Sequence, residues 1–359
     1  MAKVDLGGEV AAIGSLPFLD SDEAIEFVFK YLENFPHWPQ LPNLREKEDF
    51  TSQYISNLLE RDMMYRNEKG YLRARTSKDD EDFTEKLTDF MGVTLEIEEG
   101  DDSLLSEFAF PRDNAEGFYK FMDTLKSSDE LGFEFVKGQV SGPLSLGLEF
   151  KDTEGRSVFF DPQWQEIISM NLAVKAKWQT RELNKLNKNT VIFFDDPGLT
   201  AYGKSSYVGL NRDDIVRSFE KIVRSVRCEN ALAGIHVCAG ADLSIPLDAG
   251  IDILNYDTYD YFNSVLPYTE KLKTFLSNDG YFSWGIIPVD DRVFEESADS
   301  ILNQMKEKME QLDGMGVPFD LVKERSFVTP ACGLGSRSED VAVKAYEILA
   351  EIYHKGFKF

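Results

Sequence analysis

The run Leu232-Ala233-Gly234-Ile235-His236-Val237, closed by Cys238, lies between a stretch of helical periodicity, Arg212–Cys228, and a second β-rich run, Ile251–Tyr256. A helix feeding a strand that crosses over to another strand is the repeating unit of a parallel sheet. The same alternation continues in both directions. β-Rich runs stand at Val10–Gly14, Phe35–Pro39, Phe133–Val140, Thr190–Phe194, Tyr281–Ile287 and Ser326–Thr329. Helical stretches stand at Ser21–Asn34, Ala115–Leu125, Trp164–Leu186, Val265–Ser277, Ser297–Leu312 and Ser338–Tyr353. The sequence thus predicts an α/β fold, a single (β/α)8 TIM-type barrel spanning residues 1–359. An open doubly wound sheet is the alternative, but no Gly-x-Gly-x-x-Gly follows the first run.

Residues 50–110 break the alternation and are expected to form an insertion after the second strand. Gly70 to Arg75 and Val93 to Glu98 both alternate apolar and polar residues, as half-buried strands would. A hairpin and one or two helices are expected there.

Composition narrows the function. With 42% hydrophobic and 13% aromatic residues the chain can bury a sizeable core, so global disorder is excluded. Its 64 acids against 39 bases give a net charge of −25, which repels nucleic-acid backbones and anionic membranes alike. The runs Asp79–Asp82, Glu98–Asp102 and Asp290–Glu296 read as solvated acidic surface. Met1 to Val10 shows no charged region followed by an apolar one, and no run approaches the ~18 apolar residues of a spanning helix. A cytoplasmic protein is expected. Three widely spaced cysteines make no disulfide framework and suit a reducing compartment.

Two of those cysteines carry the chemistry. His236 and Cys238 are two apart at the end of a strand, so their side chains point the same way. An isolated pair of this kind is more often a buried thiol beside a hydrogen-bonded imidazole. This pair is not isolated: Cys332 follows the last strand and Asp257 closes another. In a barrel all C-terminal strand ends surround one mouth. Two thiolates, an imidazole and a carboxylate gathered there make a zinc-type donor set. Cys228 falls inside a helix and reads as structural or surface. Asp195-Asp196-Pro197 ends a further apolar strand, and reads either as a capped turn or as a carboxylate for a substrate amino group. The turn at Ile13-Gly14-Ser15 offers backbone N–H groups to a carboxylate. Gly138 to Pro143 is another glycine-rich strand end, suited to shaping the mouth.

Ile13-Gly14-Ser15-Leu16-Pro17, Lys137-Gly138 with Ser141-Gly142-Pro143, Asp195-Asp196-Pro197, His236-Val237-Cys238, Asp252 to Asp257 and Pro330-Ala331-Cys332-Gly333-Leu334 occur in that order over nearly the whole chain. The set resembles the catalytic domain of cobalamin-independent methionine synthase, within a superfamily that includes uroporphyrinogen decarboxylase and corrinoid-dependent thiol methyltransferases. The resemblance implies a zinc ion held by His236, Cys238, Cys332 and, where the family has glutamate, Asp257. It implies that Ile13, Gly14, Ser15 and Asp195 hold the amino-acid part of homocysteine. The chain departs from the family in three ways. It is expected to hold one barrel rather than two. The family's catalytic histidine is missing from Gly285 to Asp290, which leaves Asp290 or Asp291 in its place. No tryptophan for a folate ring follows Gly142-Pro143.

The expected activity is transfer of a methyl group to a zinc-bound thiol, homocysteine first, to give methionine. A polyanionic folate suits neither the charge nor the missing platform, so a methylated corrinoid, free or on a carrier protein, is the expected donor. The alternatives are a coenzyme M-type thiol as acceptor, or a non-catalytic paralogue that binds a thiol or corrinoid. Uroporphyrinogen decarboxylation leaves the His236, Cys238 and Cys332 set unexplained.

Overall fold

A computed structural model of the chain describes residues 4–45, 48–127 and 132–359. Its first two strands, β1 (Met64–Arg66) and β2 (Leu72–Ala74), form a small antiparallel hairpin. The other six are β3 (Phe135–Ser141), β4 (Asn189–Asp195), β5 (Leu232–Val237), β6 (Ile253–Asp257), β7 (Tyr281–Ile287) and β8 (Ser326–Pro330). Each pairs in parallel with the next, in sequence order, to make one curled sheet. Helical crossovers separate the strands, Pro162–Asn184 between β3 and β4, Arg212–Cys228 between β4 and β5, and Ala298–Gly314 between β7 and β8. These are the elements the alternation predicted, displaced by a few residues.

The first two expected strands, Val10–Gly14 and Phe35–Pro39, are not strands in the structure. Their segments make single parallel bridges at the two edges of the sheet. Residues 8–11 bond to β8, with Gly8 N–H on the Ser326 carbonyl at 2.9 Å and Ala11 N–H on that of Val328 at 3.0 Å. Residues 36–38 bond to β3, with Lys137 N–H on the Pro36 carbonyl at 2.9 Å. The two segments also meet each other, since Gln40 N–H reaches the Gly14 carbonyl at 3.0 Å. Their composition explains the broken ladders. Pro36 and Pro39 have no N–H to donate, and Gly14 turns at φ 136°.

Segment 50–110 carries the expected hairpin, but Val93 to Glu98 is not a strand. It lies in the helix Phe83–Glu99, whose buried residues Phe83, Phe90, Thr94 and Ile97 follow the spacing of one helical face. The segment packs on the helix Pro162–Asn184, which starts from an Asp161 N-cap with proline in the first turn and is buried along most of its length. Asn57 Nδ2 donates to Asn171 Oδ1 at 2.7 Å, and Lys177 Nζ donates to the Ile97 carbonyl at 2.7 Å.

Inside the curled sheet the side chains form two zones. A plug of Phe35, Phe135, Val191, Phe193, Ile253, Tyr281 and Phe327 fills the end where the strands begin. Toward the C-terminal ends the same inward faces turn polar: Lys137, Gln139, Asp195, His236, Asn255, Ser283 and Thr329, all buried. Buried polar groups need partners, so this zone is where chemistry is expected. No helix among the described residues is long and apolar enough to cross a membrane.

Candidate metal centre

His236 on β5 is level with Asp195 on β4 and Asn255 on β6, so strand register alone brings three polar side chains together. The imidazole is buried, and both its nitrogens are engaged. Nδ1 lies 2.5 Å from Asn255 Oδ1. The Asn255 amide is oriented in turn, because its Nδ2 donates to Ser283 Oγ at 2.6 Å and to Thr329 Oγ1 at 2.7 Å. An amide with its nitrogen committed to two hydroxyls presents oxygen to the histidine. Nδ1 therefore carries the proton, and Nε2 is left as the donor atom.

Nε2 faces Cys238 Sγ at 2.9 Å, and Cys238 Sγ lies 3.3 Å from Cys332 Sγ. One donor atom from each of the three residues falls within a 4.8 Å cluster. Cys238 stands one residue past β5, and Cys332 lies in the turn after β8, whose backbone is locked onto the first segment. Leu334 N–H reaches the Ser15 carbonyl at 3.0 Å and Gly335 N–H reaches Ser15 Oγ at 3.2 Å. A Cβ at Gly333 would lie 2.3 Å from Ser15 Oγ, so glycine is what allows this approach.

The set fits zinc. Zn–S bonds of about 2.3 Å and Zn–N bonds of about 2.0 Å make tetrahedral edges of about 3.8 and 3.5 Å, about half an ångström wider than the spacings here. The electrostatics point the same way. The bond from Cys238 holds the Cys332 thiol well below its ordinary pKa, against burial and with help from His236. The same bond, reinforced by burial, pushes Cys238 well above its own. Burial acts to lower the His236 pKa, but the Cys332 thiolate, Asp195 and Asn255 outweigh it and raise it. Soft nitrogen and sulfur donors of this kind suit a borderline-soft cation.

The fourth expected ligand, Asp257, is not part of the three-residue cluster. Its Oδ1 caps the short helix Thr258–Tyr261, accepting from Tyr259 N at 3.1 Å and Asp260 N at 3.2 Å. Burial pushes its pKa up to about 6. Asp195 is brought to the site. It is 8% exposed, and its Oδ1 has no hydrogen-bond partner among the described residues. Burial pushes it up to about 6, against the pull of Lys137 and His236 and with the Cys332 charge adding to the rise. Asp196 takes the capping role instead, for the helix Pro143–Glu149, accepting from Leu144 N at 3.0 Å and Ser145 N at 2.9 Å.

Ile13, Gly14 and Ser15 form the turn that faces the Cys332 loop. Asp290 is paired with Arg292. It accepts from Arg292 Nε at 2.8 Å and Nη2 at 2.6 Å, and this pairing keeps its carboxyl below the usual range. A carboxylate held ionised in that way is a poor proton donor. Cys228 is exposed at the end of its helix, as expected.

The residues without a role in the sequence reading are Asn255, Lys137 and Gln139. Their signal is present in the sequence: each is polar on the inward face of a strand, Asn255 at the level of the site and Gln139 and Lys137 one and two inward positions below it.

No protein-family model and no curated protein matches the chain. Among solved structures, the C-terminal domain of a presumed chitinase from Desulfitobacterium hafniense DCB-2 is 14% identical with a TM-score of 0.32, over 67% of this chain and 84% of that one. A modular endo-β-1,4-mannanase from Cellulomonas fimi gives the same identity and TM-score over 60% of this chain and 52% of that one. Likenesses of that size bear on neither fold nor chemistry.

Proposed function

We propose that the protein is a zinc-dependent methyltransferase that methylates a thiol, homocysteine first, with a methylated corrinoid as donor. In this reading Val10–Gly14 and Phe35–Pro39, each held to the sheet by a bridge, take the places of the first two strands of a (β/α)8 barrel, and 50–110 is inserted after the second. The observation that carries it is the grouping of His236 Nε2, Cys238 Sγ and Cys332 Sγ within 4.8 Å, beside an unpartnered buried carboxylate oxygen of Asp195.

Bound zinc would keep a substrate thiol deprotonated and nucleophilic near neutral pH. The chain's own residues divide the remaining work. Asn255 fixes the His236 tautomer through Nδ1. Asp195 Oδ1, desolvated and without a partner, accepts the substrate ammonium group. The Ile13-Gly14-Ser15 turn meets the carboxylate. Asp290 stays paired with Arg292 and takes no part in proton transfer. A methyl group leaving cobalt needs no proton, so the donor class and the lack of an acid agree.

Elemental analysis of protein purified without chelator tests the metal. Near-stoichiometric zinc is expected, with most of it lost in Cys332→Ser. Turnover tests the donor. Homocysteine methylation is expected from methylcobalamin and little or none from methyltetrahydrofolate. Full zinc retention in the variant, or comparable rates from folate, refutes the reading.

A further inference from the structure

Lys137 has no role in the reactions above. It is completely buried on β3, inside the curled sheet at the base of the polar zone. Its Nζ lies 2.5 Å from the Ile13 carbonyl, 3.4 Å from Gln139 Oε1 and 4.6 Å from the centre of the Phe193 ring. Asp195 is the counter-charge that acts on it, yet no hydrogen bond among the described residues joins the two. Two opposite buried charges left unjoined are unfavourable for folding alone. Each is held instead toward a different part of the same site.

The Ile13 carbonyl is one edge of the Ile13–Gly14 peptide. In a trans peptide the Gly14 N–H lies on the opposite edge. The near side of this turn is filled, by Lys137 at the carbonyl and by Gln139 under Gly14, where an added Cβ would sit 2.6 Å from the Gln139 amide. The N–H edge therefore points away from both. A cation on the carbonyl polarises the peptide and makes its N–H a stronger donor, an effect that low dielectric enlarges.

We propose that Lys137 is a specificity-determining positioning residue that converts the Ile13-Gly14-Ser15 turn into a receptor for a substrate carboxylate. With Asp195 it makes a pair of separated, opposite charges matched to the two charged groups of an α-amino acid. The proposal rests on the homocysteine reading above, and it specifies an amino-acid thiol over a simple one.

Calorimetric binding of homocysteine and of aminopropanethiol, the same molecule without its carboxylate, tests it, with zinc content measured in each protein. The wild type is expected to favour homocysteine. Lys137→Met should bind homocysteine roughly tenfold or more weakly, bind aminopropanethiol as before and keep its zinc. Lys137→Arg, which retains the charge, should recover part of the preference and guards against a methionine variant that fails to fold. A wild type indifferent to the carboxylate overturns the homocysteine reading and this role with it. A selective wild type with an equally selective Lys137→Met overturns the role of Lys137 alone, as do equal losses for both thiols.

Discussion

Replacing Asn255 by leucine removes an acceptor 2.5 Å from His236 Nδ1 and a donor to two hydroxyls in a completely buried position. Leucine is of similar volume, so the loss is polar rather than a cavity. The Ser283 hydroxyl loses a partner outright, while Thr329 Oγ1 keeps its bond to the Pro330 carbonyl. One buried hydroxyl and one imidazole N–H left without these partners should destabilise the metal-free protein by about 2–4 kcal/mol. The effect on metal is separate. Without Asn255 the imidazole is free to rotate and to carry its proton on Nε2, so zinc affinity should fall about 10–100-fold, as for other outer partners of a ligating histidine. Urea unfolding of the metal-free form reads the first quantity and competition against a chromophoric chelator reads the second. Asn255→Asp retains an acceptor toward Nδ1 and should stay within a few-fold of wild-type affinity. Unchanged zinc affinity in Asn255→Leu, whatever its stability, would refute the tautomer argument.

Asp195→Asn should weaken homocysteine binding roughly tenfold or more and leave a thiol without an amino group unaffected; equal losses for both would favour a coenzyme M-type acceptor. The same variant removes a charge whose burial outweighs the pull of Lys137 and His236, and should unfold at higher urea near neutral pH, where the wild-type carboxyl, at about 6, is ionised. Lys175, bonded to the Phe108 carbonyl at 3.2 Å, is lowered by burial from 10.5 to about 7. Between those values the unfolded chain holds a proton that the folded chain does not, so stability rises with pH across the window. Lys175→Met should flatten that rise by up to ~1.4 kcal/mol per pH unit in urea titrations from pH 7 to 10, and an unaltered slope would show the amine to be ordinarily charged.

Sheet order and the metal-type cluster were legible because both follow from periodicity. His236 and Cys238 share a side because a strand repeats every two residues, and Cys332 joins them because parallel strands end at the same edge. What failed were patterns that fit two periods at once. Val93 to Glu98 alternates like a strand, but Phe90, Thr94 and Ile97 also mark one side of a helix, and the longer pattern prevails. The first two runs have strand composition but place prolines and a left-handed glycine where a ladder needs N–H groups. Asp195 and Asp196 were indistinguishable in sequence. Only packing shows that one carboxyl is spent on the helix Pro143–Glu149 while its neighbour is left with an open oxygen. Asn255 carries no signal of its role in the sequence alone, because asparagine in a strand announces nothing until its register with His236 is known.

The lock between Ser15 and the Cys332 loop joins positions 320 residues apart, and the two cysteines of the centre are separated by 94. Chains are made from one end at about 5–20 residues per second. His236 and Cys238 therefore leave the ribosome several seconds before Cys332 exists, at a stage when β8 and the loop that seats the third donor are still unmade. An incomplete chain can offer a metal two donors and no enclosure. In the zinc reading, selective loading waits until segments 320 residues apart have met, so the centre follows the assembly of the sheet rather than serving as a nucleus for it.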